Sequence, residues 1–186
     1  PQNIKDAAKA AIDAGKTKYT APDGIPELKQ AICAKFAREN GLTYEPAQIS
    51  VASGGKQILY NALMATLNPG DEVILFEPWY DSYHANCRIA GAVPVCVTLH
   101  KPEFRIDAEA LESAITPQTR LVVVNNPHNP TGRVFDEDEM GQVESLDREH
   151  DVIVVTDEVY EHLVYDNFVF CTPAQVEPEE APAAAR

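Results

Sequence analysis

Asn125-Asn126-Pro127-His128-Asn129-Pro130-Thr131-Gly132 follows an aliphatic run at 121–124, and Thr156-Asp157-Glu158-Val159-Tyr160 closes a second one at 152–155. One helical segment separates the two runs. The pattern is a strand, a turn, a helix and a strand. It delivers an amide, an acid and a phenol to one edge of a sheet. In an open parallel sheet ligands bind at that edge, outside the carboxyl ends of the strands.

The same alternation extends in both directions. Upstream, an Ala-rich helix is expected over 5–14, ending at Gly15. A turn-rich segment, 17–26, leads to Pro26, which suits a first helical turn because it donates no N–H and presets φ. Leu28, Ile32 and Phe36 recur on one helical face that ends near Gly41. A strand at 49–52 and an amphipathic helix through Ile58, Leu59, Ala62, Leu63 and Leu67 follow, the helix stopped by Asn68-Pro69-Gly70. Next come a strand at 73–76, a helix over 81–90 and a strand at 93–99. Asp107 is placed to cap a helix carrying Leu111 and Ile115. Asp136 with Glu139 has the spacing of a capping box for the helix of Met140, Val143 and Leu146. The strands are apolar on both faces rather than alternating. This predicts an α/β fold of three layers, with a mostly parallel sheet between two layers of helices.

Bulk properties narrow the function. The chain has 186 residues, 45% hydrophobic and 24% charged, enough for a core. A net charge of −14 argues against a nucleic-acid partner, which requires clustered Lys and Arg. No apolar run is long enough to cross a membrane, and the first residues lack the apolar core of a signal peptide. Cys33, Cys87, Cys96 and Cys171 are scattered without metal or redox spacing, and the expected setting is a cytoplasmic protein with buried, reduced thiols. No metal site is expected. Residues 168–186 include the stretch TPAQVEPEEAPAAAR and read as a Pro/Ala/Glu-rich, disordered or loosely attached tail.

Several side chains could carry chemistry. Ser53-Gly54-Gly55-Lys56 joins a strand to a helix, where close backbone approach and free N–H groups favour an anion. A glycine pair in such a turn also serves purely structural ends. Tyr80, next to Trp79, follows a strand and can stack on a planar ring, or fill the core. Asn129 sits between two prolines in a turn that fixes its amide, although Asn-Pro is ordinary turn chemistry as well. Asp157 follows four aliphatic residues and Thr156 and so requires a cationic or hydrogen-bonding partner, unless it caps a helix. Tyr160 can place its phenol beside it. His128 and His162 flank the site and read as turn or surface residues. Walker and nucleophile-elbow motifs are absent. Together these parts suit a planar, phosphorylated nitrogen heterocycle: an anion cradle, a stacking ring, an acid for a ring nitrogen, and an amide and phenol for a ring oxygen. Pyridoxal phosphate matches that description.

NPHNPTG and TDEVYEHLVYD resemble the fold-type I, class I/II aminotransferases, and the likeness runs from about Ile4 to Asn167. The stretch from TKYTAPDGIPEL to about residue 75 looks most like the bacterial aspartate branch. From EPWYDSYHANCRIAGA onward the kynurenine and N-succinyldiaminopimelate branches look closer, which suggests a mosaic. The resemblance implies that residues 1–167 are part of a large, cofactor-binding domain. It implies that Asp157 pairs with the cofactor's pyridine nitrogen, and that Asn129 and Tyr160 hold its ring oxygen. Tyr80 would stack on the ring and, with Asn129, face the substrate. Gly54, Gly55 and Lys56 would form the phosphate turn, and Tyr19 would reach the phosphate in the partner subunit of a homodimer. The implied substrates are an amino acid and a 2-oxo acid.

The family pattern also includes a Schiff-base lysine in a Ser/Thr-x-x-Lys setting, a phosphate arginine and an arginine for the substrate carboxylate. None of Lys5, Lys9, Lys16, Lys18, Lys29, Lys35, Lys56 and Lys101 stands in that setting. No catalytic residue is therefore assigned, and the expected reading is an aminotransferase fragment, inactive alone. Two others stay open: a carbon–sulfur lyase of the same fold, and a non-catalytic scaffold or interaction domain built on part of it.

Overall fold

The computed structural model describes residues 1–176, which form two compact units, Pro1–Ala52 and a second from Ser53 onward. In the first unit, α1 (Gln2–Asp13) and α2 (Pro26–Lys35) occupy the two predicted helical stretches. Pro26 begins α2, and a π-helical turn (Phe36–Asn40) runs into Gly41, whose φ of 67° ends the helix in the left-handed region. The strand expected at 49–52 does not form. Val51 N instead donates to Asp23 O across 2.9 Å, and Val51 packs directly over Gly24. A short stretch such as Ile49-Ser50-Val51-Ala52, with three apolar residues in four, does not by itself distinguish a strand from an extended loop, and this one has no ladder partner among the described residues.

The second unit contains α3 (Gly55–Thr66), β1 (Glu72–Glu77), α4 (Ser82–Ile89), β2 (Val93–Thr98), α5 (Ala108–Ser113), β3 (Thr119–Asn125), α6 (Glu137–His150) and β4 (Ile153–Asp157). The four strands make one parallel sheet in the order β2-β1-β3-β4. Alternate residues of β1 and β3 feed opposite cores. Val73, Leu75, Leu121 and Val123 pack with Leu59 and Leu63 of α3 and Cys87 of α4. Ile74, Phe76, Val122 and Val124 pack with Leu111 of α5 and Met140, Val143 and Leu146 of α6. The predicted three-layer α/β architecture is therefore present, with central strands buried on both faces.

Both predicted caps form. Asp107 Oδ1 accepts from Glu109 N at 3.0 Å and Ala110 N at 3.1 Å. Glu139 N donates to Asp136 Oδ1, and Asp136 N to Glu139 Oε2, each across 3.0 Å. Glu139 is also fully buried. It accepts from Ile106 N at 2.9 Å and from Arg133 Nη2 at 2.8 Å. The capping box thereby clamps the segment after β2 to the turn after β3.

Part of the expected loose tail is packed. Asn126 Nδ2 donates to Cys171 O at 2.8 Å, Pro173–Gln175 forms a 3-10 turn, and Val176 lies against the α6 core. An otherwise orphaned buried amide and an apolar surface hold Cys171–Val176 in place. The rest of the tail, 177–186, lies outside the described residues. All four cysteines are unpaired, and Cys96 is exposed on β2 rather than buried. Among the described residues no helix is long and apolar enough to cross a membrane.

Candidate active site

From β1 the chain first builds β2 on one side, then returns across to build β3 and β4 on the other. This reversal leaves a crevice at the carboxyl ends of β1 and β3. A cleft of about 230 Å³ opens there, lined by Gly55, Lys56, Leu59, Tyr80, Tyr83, Asn125, Asn129, Asp157, Val159 and Tyr160. Six predicted site residues meet in it: Gly55, Lys56, Tyr80, Asn129, Asp157 and Tyr160. Gly54 immediately precedes it as the residue before α3, with a φ of 98° that favours glycine and open space where a Cβ would project. Tyr19 belongs to the first unit and is fully exposed. A hollow of about 390 Å³ walled by Phe104, Arg133, Leu163 and Phe168 brings no comparable acid, amide and phenol together.

Asp157 ends β4 directly opposite Asn125, the last residue of β3. Its backbone carbonyl accepts from Asn125 Nδ2 at 2.8 Å and from Asn126 N at 3.1 Å. Its carboxylate accepts from Tyr83 Oη at 2.8 Å. Asn125 Oδ1 in turn accepts from Asn129 N at 2.6 Å, so one side chain fixes both the acid and the turn. Asn129 Nδ2 points at Tyr160 Oη, 3.4 Å away, which makes the predicted amide–phenol pair. The Tyr80 and Tyr83 rings pack in a T-shaped pair, with centres 5.7 Å apart and planes at 73°. Lys56 Nζ stands 5.1 Å from the centre of the Tyr80 ring.

Burial, and then the neighbouring Asp157 charge, push the Tyr83 phenol far above the ordinary tyrosine range, so it stays a donor. His128 is buried, not a surface residue. Burial pulls it down to about 4, against a smaller opposing hydrogen bond with the Pro78 backbone. It is therefore neutral at ordinary pH. Its Nδ1 lies 2.8 Å from Thr131 Oγ1, bracing the turn that carries Asn129. Lys56 is held above its usual value first by the Tyr80 hydroxyl and then by Asp81. Sequence reading missed Tyr83 and Asn125. The available signals were an aromatic three residues beyond Tyr80 at the start of a helix, and an amide ending a strand.

A sheet-edge acid, an amide–phenol pair and a glycine turn before a helix are the parts expected of one enzyme class. The model of the family described as aminotransferase class I and II matches residues 1–183, and the chain belongs to that family. It is 57% identical to the aspartate/prephenate aminotransferase of Cereibacter sphaeroides over 180 residues, which is 96% of this chain and 45% of that protein. Among solved structures, the aspartate aminotransferase of Rhizobium meliloti superimposes with a TM-score of 0.91 at 50% identity, covering 96% of this chain and 45% of that one. The N-succinyldiaminopimelate aminotransferase of Mycobacterium tuberculosis gives 0.89 at 38% identity, covering 91% and 45%. The chain thus spans under half the length of these relatives. Two expectations change. A single aspartate/prephenate relative runs through both halves, so the branch change near Glu77 is not supported. The family match also continues past Asn167 to residue 183.

Proposed function

We propose that this chain carries the cofactor-gripping wall of a pyridoxal-phosphate-dependent aminotransferase. The donor set fits the cofactor. Asp157, held in place by Tyr83, offers a carboxylate to a protonated ring nitrogen. The Asn129–Tyr160 pair, 3.4 Å apart, offers two donors to a ring oxygen. Gly54, Gly55 and the N–H groups opening α3 suit a phosphate. Tyr80 offers a face for the ring to stack on, and with Asn129 faces the substrate. The cofactor, when bound, supplies an electron sink that depends on its ring nitrogen staying protonated. Asp157 keeps that proton in place, and Asn125 holds the backbone of Asp157 in register while it does so.

The carrying observation is the 2.8 Å bond from Tyr83 to Asp157 beside the Asn129–Tyr160 pair. The relatives' names favour an aspartate-type amino donor and a 2-oxo acid acceptor. Residues 1–167 as part of the large domain, a homodimer with Tyr19 serving the partner's phosphate, and a cytoplasmic setting belong to the same proposal. Titration of the 186-residue chain with pyridoxal phosphate, followed by visible absorbance, tests it. Saturable binding that Asp157→Ala weakens at least tenfold is expected. Binding indifferent to Asp157 would refute the assignment.

A further inference from the structure

A broad hollow of about 900 Å³ opens at the carboxyl ends of β1 and β2 and shares no lining residue with the Asp157 cleft. Leu99, Phe104 and Pro130 give it an apolar floor, and its walls carry one carboxylate, Glu77, and one ammonium, Lys101. The Glu77 carboxylate accepts from Thr98 Oγ1 at 3.2 Å. Among the described residues Glu77 and Lys101 form no ion pair, with each other or with any third group. The frame between them is fixed. Leu99 N donates to Glu77 O across 2.7 Å, and Phe104 N to His100 O across 2.8 Å. Phe104 has a φ of 52°, in the left-handed region that a bulky side chain rarely adopts. It is held there by packing on the core of α5 and α6, and residues kept under such strain cluster where ligands are clamped.

We propose that this hollow is a binding site for an α-amino acid with an aromatic side chain. The ligand's ammonium meets Glu77, its carboxylate meets Lys101, and its ring lies on Phe104, Leu99 and Pro130. The charge pattern selects this class. Two opposite charges held apart in one hollow suit a ligand that carries both on a short frame. A simple organic anion would satisfy Lys101 but face Glu77 and a chain of net charge −14. A simple amine would leave Lys101 unmatched. The apolar floor in turn demands an apolar body. Because the loop is already in place, little ordering opposes binding. Pro130 directly follows Asn129, so an occupant bears on the turn that supplies the other cleft with its amide. The proposal does not depend on what the Asp157 cleft binds.

L-Phenylalanine is the probe, titrated into the isotope-labelled full chain and followed by amide NMR shifts. Saturable shifts at 98–104 and at Thr131 are expected. 3-Phenylpropionate lacks the ammonium and 2-phenylethylamine lacks the carboxylate. Each should bind roughly two- to fivefold more weakly than L-phenylalanine, the worth of one exposed ion pair. Glu77→Gln keeps an acceptor for Thr98. It should weaken L-phenylalanine and 2-phenylethylamine by a similar factor and leave 3-phenylpropionate no weaker. Lys101→Met should weaken L-phenylalanine and 3-phenylpropionate and spare 2-phenylethylamine. That crossed pattern is the signature. No saturable shifts, shifts confined to the Asp157 cleft, or equal affinity for all three ligands would overturn the proposal. The three ligands are compared on the unsubstituted chain, so the test stands even if a variant fails to fold.

Discussion

The Tyr83 phenol donates to Asp157 Oδ2 across 2.8 Å, joining the first turn of α4 to the last residue of β4. The same ring packs against Tyr80 in a T-shaped pair. One residue thus ties the stacking face to the acid. Tyr83→Phe keeps the ring and removes the donor. It should cost about 1 kcal/mol in chemical denaturation, the net worth of one hydrogen bond, and weaken pyridoxine 5′-phosphate binding. The raised phenol adds a second readout. Its stability contribution is whole below the ordinary value of 10.0 and is lost only as pH rises through its higher folded value. Ultraviolet titration of the folded chain should therefore show the same number of ordinary tyrosines before and after the substitution. One fewer in the variant would contradict the assignment.

Buried His128 gives the fold an acid sensitivity of its own. Its folded value of about 4 lies below the ordinary 6.5, so the unfolded chain takes up the proton first as pH falls. The stability carried by the neutral ring is whole above pH 6.5 and is lost between 6.5 and about 4. At about 1.4 kcal/mol per unit, the loss is on the order of 3 kcal/mol. His128→Asn should flatten that part of the stability profile measured by urea unfolding. An unchanged slope would mean that another group is responsible.

Glu139 satisfies two backbone N–H groups and the Arg133 guanidinium while fully buried. Removing it strands two backbone N–H groups and leaves the partly exposed Arg133 only the Asp136 carboxylate, 3.9 Å away, at a cost of roughly 2–4 kcal/mol. Glu139→Ala should lower the unfolding midpoint accordingly, and exchange at the Ile106 and Asp136 amides should accelerate. A loss under about 1 kcal/mol would show that water replaces the carboxylate there.

In the first unit, Gly24 has a φ of 108°, and a Cβ there would stand 2.8 Å from a methyl of Val51. Gly24→Ala should destabilise that unit by about 1–3 kcal/mol, through backbone strain and collision together. Gly24→Ala combined with Val51→Ala should recover only the collision part. Full recovery would mean that the backbone conformation is not strained.

Much of this was legible locally. Aliphatic runs give parallel strands because both faces are covered, and Asp107, Asp136 and Glu139 announce their helix ends by spacing alone. What escaped depended on partners distant in sequence. Tyr83 looks like any helix aromatic until β4 brings Asp157 to it, 74 residues away. Asn125 looks like turn chemistry until its amide meets the backbone of Asp157. The run at 49–52 has strand composition but, among the described residues, no strand to pair with. Cys171–Val176 has the composition of a loose tail, yet Asn126 and the α6 core supply it with partners.

The sheet order has one more consequence. β1 and β3 lie side by side, yet β2 and α5 intervene between them along the chain. The cleft at their ends cannot be nucleated by neighbours in sequence, because a long loop must close before its walls meet. Its residues converge only when the excursion through β2 has been folded back. Any molecule that settles there therefore selects the finished sheet over every partly assembled form, by mass action. Occupancy of the cleft is thus a reporter of completed folding, and its ligand a chaperone for the last step.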